Sequence, residues 1–488
     1  MKKSTDHTRN LIDFIYRLNF KEIPEEVINK AKQCLMDSLG VIIGALLWPE
    51  GRKINKFDTD NSGLEITTLL GTGLKVPTLQ AVFKHASLSE VLEFQDGHAS
   101  AGLHPGTSVI PSAVAIGELK GISGKELLVS IVSGYEILGR IGSLIYGKSW
   151  GKISPTGLVG SLGSATAAGK ILGLSKRELL SALGIASYLT PLSVGENFFT
   201  GFSCKPFQGG QGAEVGVKAI KLVMEGFSSS PNFLFGSPPG YVGLYAVFYS
   251  KGDQLEAKFY SKEDKIEAKE DKIEAGASLT EKLGEKFAIS EVYFKPYPCG
   301  RLIHAAIDCI IALRKKYKIN KEEIKHIRIL TNTKTAWSLG QNYTDINSTF
   351  HKRQLSVPYV VATTLIEGQF KLEQLKPNRC KDEEIISLES KITVERSTEL
   401  DKISTIEQKS RTTVVELCTT NGQKLTYRVD HPKGDYRNSL SWEEIEEKYR
   451  QLTEKILGPD KVNKSINLIK NIESINNIAK LIELLKVK

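Results

Sequence analysis

No CxxC pair occurs in this chain of 488 residues. The six cysteines, Cys34, Cys204, Cys299, Cys309, Cys380 and Cys418, are scattered, which argues against a zinc ribbon or a disulfide-stapled fold. Reduced thiols in a cytoplasmic chain are therefore expected. No GxGxxG follows a strand-like run and no GxxxxGK[ST] is present, so neither phosphate-cradling fingerprint is available. HExxH is missing as well, and His98 and His104 have no third partner at a recognisable spacing, so neither a metal nor a cofactor is expected. No uninterrupted apolar run reaches membrane-spanning length. The start, MKKSTDHTRNLIDFIYRL, carries Asp6 and Asp13 among its basic residues and lacks a signal-cleavage pattern. Lys and Arg number 65 against 56 Asp and Glu, a mild excess for so large a surface. With no basic stripe and no interleaved aromatics, nucleic acid is not an expected partner.

What is present is globular: 41% apolar and 25% charged residues, in a length that calls for two domains or one with an insertion. Up to about residue 250 the apolar spacing is helical. EEVINKAKQCLMDSLGVIIGAL follows Pro24 as a helix opening and ends nearly all apolar. Pro155–Leu172 is dense in Gly and Ala, which lets helices cross closely; Gly209–Gly216 continues that style. Residues 251–286 form a charged excursion in which EDKIEA occurs twice, at Glu263–Ala268 and Glu270–Ala275, and a solvated segment explains it without a partner. Beyond Tyr293, IKHIRIL, IISLESKITVERST, TTVVELCTT and QKLTYRV alternate like strands, while Arg301–Lys315 and Val357–Glu367 are helical. Ser441–Glu444 forms a capping box for a helix to Leu457, and Ser465–Val487 is a further helix.

Four polar clusters carry the chemistry. The first, EFQDGHASAGLHPGTSVIP at Glu93–Pro111, holds Asp96, His98 and His104 on a glycine-rich turn, where Asp96 could equally cap the next helix. The others are Lys205 in FSCKPFQGGQG, Lys295 to His304 in KPYPCGRLIH, and His351 to Tyr359 in HKRQLSVPY. Imidazoles exchange protons near neutral pH, while lysines and Arg301 can hold carboxylates or stabilise an anion beside one. Each group alone is equally compatible with surface solvation. A Cys299–His304 nucleophile is formally possible, but a small apolar side chain in a turn explains Cys299 more simply.

Taken together, KAKQCLMDSLGVIIGA, LEFQDGHASAGLHPGTSVIPSAVAIGE, SGKELLVSIVSGYEILGRIG, SPTGLVGSLGSATAAGKILGLS, KPFQGGQGAEVGVKAIKL, FKPYPCGRLIHAAID and LSVPYVVA resemble the MmgE/PrpD family in family order. The resemblance implies a mostly α fold. A large all-helical domain would cover residues 1–290, a smaller α+β lid-like domain 291–430, and C-terminal helices at 431–488 would pack back on the helical part, with the active site between. It implies a metal-independent enzyme, commonly a homodimer, acting on an anionic small molecule. The leading expectation is a dehydratase of 2-methylcitrate, citrate or a related polycarboxylate; epimerisation, decarboxylation and a catalytically reduced binding protein are the alternatives. By resemblance His104, Lys205, His304 and Tyr359 are catalytic, and Glu93, Asp96, Ser154, Lys295 and Arg301 bind substrate. Two departures stand out: Gly97 replaces the family threonine, and Ser154 replaces the histidine of HPT.

Overall fold

The computed structural model describes residues 6–57, 66–149, 152–190, 192–236, 243–249, 274–341, 349–406 and 411–487. The EDKIEA repeats lie outside these residues, apart from Glu274 and Ala275 at their end. Helices dominate, and a smaller part carries a mixed sheet.

Helix α1 (Glu25–Ala45) opens after Pro24 with Glu25 and Glu26 in its first turn, where carboxylates complement the helix N-terminus. It is followed by α2 (Thr78–Val91), α3 (Pro105–Lys120), α4 (Gly124–Ser149), α5 (Pro155–Ile171), α6 (Lys176–Leu189) and α7 (Phe207–Met224). Helix α5 is the hub, packed by α3, α4, α6 and α7. The glycines expected to permit close crossing do so. A Cβ at Gly212 would come within 2.7 Å of the Gly157 carbonyl, and one at Gly216 within 2.5 Å of the Ser161 carbonyl. Over Gly124–Tyr146, α4 has the length and hydropathy of a membrane span, yet 89% of that apolar window is buried inside the protein.

A short strand β1 (Gly97–His98) pairs antiparallel with β2 (Val292–Tyr293), Gly97 opposite Tyr293, so the histidine-bearing loop is tied to the chain entering the α+β part. There, α8 (His304–Lys316) lies on a four-stranded sheet of order β4-β3-β5-β6, built from β3 (Ile324–Thr331), β4 (Ile392–Arg396), β5 (Thr413–Thr419) and β6 (Lys424–Val429). Burial alternates along β5, with Val415 and Leu417 inward, the period of a sheet covered on one face. Two further helices, α9 (Phe350–Gln354) and α10 (Val357–Glu367), precede β4. The expected strand IISLESKITVERST is a strand only in its second half. Asp382 caps a helix at Glu383–Glu389 by accepting the N–H groups of Glu384 and Ile385, a start signal that outweighs the β-branched residues.

Helix α11 (Trp442–Leu457) carries the expected Ser441–Glu444 capping box and returns to pack on α1. A Cβ at Gly44 would sit 2.8 Å from a Leu452 methyl. Ser465–Val487 is not one helix; it is the end of Pro459–Lys470 followed by Ala479–Leu484.

Candidate active site

Helix α2 ends beside a buried carboxylate, Glu90, and the next carboxylate, Glu93, takes the left-handed backbone conformation at φ 49°. That conformation is uncommon and costly for a residue with a Cβ, and such residues concentrate at functional sites. Two cations converge on Glu93. The Lys205 ammonium lies 2.6 Å from Oε1, and the Lys295 ammonium 3.1 Å from Oε2, also donating to the Glu93 carbonyl at 3.1 Å. Lys205 further pairs with Glu90 at 3.3 Å, and Gln208 donates to that same carboxylate at 2.5 Å. All four charged side chains are at most 3% exposed, so their mutual attraction is screened by protein rather than water. Burial alone would raise Glu93, but Lys205 and Lys295 hold it well below the usual carboxylate range. For Lys205 burial is outweighed by Glu93 and Glu90 and its pKa rises; for Lys295 burial wins and it falls.

His104 stands at the head of α3. Its Nδ1 donates to the Asp96 carbonyl at 2.6 Å and its N–H to the Thr156 hydroxyl at 3.3 Å. Burial, then the Lys295 charge, push it down to about 3 in spite of Glu93. The ring is therefore neutral at pH 7, with its lone pair on Nε2. Asp96 does cap α3, as the plainer reading had it: Oδ1 accepts the Gly106 N–H at 3.0 Å and Oδ2 the Tyr135 hydroxyl at 2.7 Å. Burial, reinforced by Asp37, raises Asp96 to about 7. Its folded pKa thus lies above the ordinary aspartate value of 3.8, so its contribution to stability is complete below that value and is lost as pH rises toward 7. Asp96→Asn, with its amide oxygen on Gly106 and its NH₂ toward Tyr135, is expected to remove this loss. Urea midpoints of variant and parent should diverge between pH 4 and pH 7 in the variant's favour; parallel curves would show that Asp96 does not titrate in this range.

The remaining candidates are placed differently. His304 is fully buried, its Nε2 3.4 Å from the Cys299 carbonyl, its Nδ1 without a partner among the described residues, with Arg301 and Lys295 among the charges acting on it. Arg301 pairs with Asp435 at 3.0 Å and lies over the Tyr293 ring, leaving one nitrogen buried without a partner among the described residues. Ser154 is buried at the start of α5 with its N–H given to Ser193; it is Thr156, two residues on, that reaches His104. Tyr359 donates its hydroxyl to the Gln374 carbonyl at 2.5 Å, within the α+β part. Burial raises the Cys299 thiol out of the reactive range. His98 is structural: Nε2 meets the Ala288 carbonyl and Nδ1 accepts from Ala101.

Sequence reasoning missed Glu90, Gln208, Tyr293 and Lys448. Tyr293 explains Gly97, because a Cβ there would run into the Tyr293 ring carbons and hydroxyl. Lys448, from α11, donates to Asp37 at 2.6 Å, to the Phe94 carbonyl at 2.6 Å and to the Lys295 carbonyl at 3.0 Å. Among the described residues no three His, Cys, Asp or Glu side chains are placed to hold a metal ion. A cavity of about 530 Å³ lined by Arg9, Asp13, Lys176 and Ser229 among others shares no residue with this cluster.

Glu93, Lys205, Lys295 and His104 thus form one buried group of two ammoniums, a carboxylate and a neutral imidazole. Sequence models of the MmgE/PrpD N-terminal and C-terminal domains match residues 9–256 and 297–474. The cis-aconitate decarboxylase of Aspergillus terreus is 24% identical over 497 residues, spanning 98% of this chain and 95% of that protein. The cis-aconitate decarboxylases of Mus musculus and Homo sapiens are each 24% identical, again over 98% of this chain and over 93% and 94% of their own lengths. This kinship makes the chain an enzyme of the lyase type. With both domains of the family matched along most of its length, the chain belongs to the MmgE/PrpD family.

Proposed function

We propose that this enzyme decarboxylates an unsaturated tricarboxylate of the cis-aconitate kind. The observation that carries the reading is Glu93 itself: two buried lysines share one carboxylate at 2.6 and 3.1 Å, so the site is already built to receive that group. A substrate carboxylate competing for either ammonium would meet the same partners. In the reaction, the carbon–carbon bond to a departing carboxylate breaks and carbon dioxide leaves. The electron pair passes into a neighbouring carboxylate as an enediolate-like anion, and a carbon then takes a proton. Fixed ammoniums favour that anion more than the substrate, which is the condition for catalysis. His104, neutral when the site holds only Glu93, gains basicity when a polyanion binds and, once protonated, can hold the developing anion by a hydrogen bond.

Two points favour decarboxylation over dehydration. The relatives that match end to end carry that activity in their names. The Tyr359 hydroxyl, which a departing hydroxide would draw on, is tied to the Gln374 carbonyl. The test is incubation of the purified enzyme with cis-aconitate, citrate and 2-methylcitrate, followed by NMR and carbon dioxide release. Carbon dioxide and a dicarboxylic alkene from cis-aconitate are expected. An alkene from citrate or 2-methylcitrate without carbon dioxide would replace the reading with dehydration, and deuterium entering recovered substrate without net product would replace it with epimerisation.

A further inference from the structure

Helix α9 is pinned between the two lysine-bearing segments. At its start, the Thr349 hydroxyl donates to the Gly201 carbonyl at 2.8 Å, four residues before Lys205. At its end, the Gln354 carbonyl accepts the Gly300 N–H at 2.8 Å, five residues after Lys295. The approach at the first end is close enough that a Cβ on Gly201, itself at φ 71°, would lie 2.8 Å from the Lys352 backbone. His351 rides on this helix with 1% of its surface exposed.

The ring is fixed on one side and open on the other. Nδ1 meets the Gln354 side-chain oxygen at 3.2 Å, which puts the ring proton there and the lone pair on Nε2. Nε2 is buried and has no partner among the described residues. A buried acceptor without a donor costs about 1–3 kcal/mol, so native folds seldom keep one without a use. His98, with both nitrogens engaged, is what a purely structural histidine looks like here. His85 also has a nitrogen without a partner among the described residues, but there the charge acting on it is Lys84, outside the cluster. The charges acting on His351 are Lys205 foremost, then Glu50 and Glu93, two of them members of the active-site cluster.

We propose that His351 is a further catalytic residue of this centre, presenting Nε2 to the substrate from the α+β part while His104 faces it from the helical part. The assignment rests on the decarboxylase reading. Burial and Lys205 keep the ring below its ordinary value in the free enzyme. A bound polyanion offsets Lys205, so Nε2 takes a proton from solvent. When the carbon–carbon bond breaks and carbon dioxide leaves, the electron pair remaining on the substrate takes that proton from Nε2–H, and the ring returns to neutral. One proton is consumed per carbon dioxide released, which balances the loss of a carboxylate.

The test uses the full chain, its His351→Gln and His351→Ala variants, cis-aconitate as substrate and tricarballylate as an inert tricarboxylate. In His351→Gln, kcat should fall about 100-fold or more and the kcat–pH profile should lose one limb. KM and tricarballylate affinity should stay within about threefold. Added imidazole should restore part of the His351→Ala rate, which a structural role would not allow. A kcat within about threefold of the parent, or a loss confined to KM, overturns the assignment. A second readout needs no turnover: in enzyme labelled at the histidine rings, tricarballylate should move the His351 resonance and raise its titration by about one unit. His104 shifting while His351 does not would remove His351 alone. Neither shifting would remove the site, and the decarboxylase reading with it.

Discussion

Lys205→Met is expected to lower kcat/KM by about 10³ and stability by about 3–5 kcal/mol. Both effects follow from the same geometry. The Lys205 ammonium is what Glu90 and Glu93 have in common, at 3.3 and 2.6 Å, and without it two carboxylates share a dry pocket with Lys295 alone. Breaking a buried pair from one side strands a charge, whereas removing both partners does not. Glu90→Gln/Lys205→Met leaves the Glu93–Lys295 pair in charge balance, so it should regain at least half of the lost stability while remaining inactive. The pH dependence supplies a second check. Glu93 is held below the ordinary glutamate value of 4.5, so its contribution is complete above that pH and is lost as pH falls through the folded value. The stability gap between parent and variant should therefore be widest at neutral pH and narrow below about pH 4. A gap that does not narrow would mean that Glu93 is not the carboxylate Lys205 stabilises, and unchanged turnover would remove Lys205 from the mechanism.

How much of this was legible in the sequence depended on whether the signal was local. Val357–Glu367 was read with its observed bounds because Ser356 caps it, Pro358 stands in its first turn and Gly368 at φ 76° ends it, each a residue whose backbone preference suffices. The glycines of α5 and α7 announced a close crossing because only small residues allow one. The helix at Glu383–Glu389 was hidden by β-branched neighbours, although Asp382 before Glu383 and Glu384 was a readable start signal. The site was legible only in half. Glu93, His104, Lys205 and Lys295 stood in quotable motifs, but Glu90 lay in an apolar helix where nothing marked it as the second partner of Lys205. Gly97 looked like a lost hydroxyl until Tyr293, paired across β1 and β2, proved to occupy that space. No local pattern could join residues so far apart.

Lys448 is the extreme case, 411 residues from Asp37, and its replacement by Met is the second large effect expected. Its side chain is 6% exposed, and its ammonium serves three acceptors: the Asp37 carboxylate and the carbonyls of Phe94 and Lys295. Phe94 follows Glu93 directly, so one cation from α11 holds the backbone beneath both the shared carboxylate and one of its lysines. Lys448→Met should cost about 3–5 kcal/mol, because Asp37 is left as a buried unpaired charge near Asp96. Loss of the two carbonyl anchors should lower kcat about 100-fold, the usual consequence of shifting catalytic groups by about 1 Å. Asp37→Asn/Lys448→Met separates the two contributions. It removes the stranded charge and should recover most of the stability, but Phe94 and Lys295 still lack their donor, so kcat should stay low. If the double variant regains activity along with stability, Lys448 acts only as a counter-ion to Asp37, and the return of α11 to the helical part has no bearing on how the site is held.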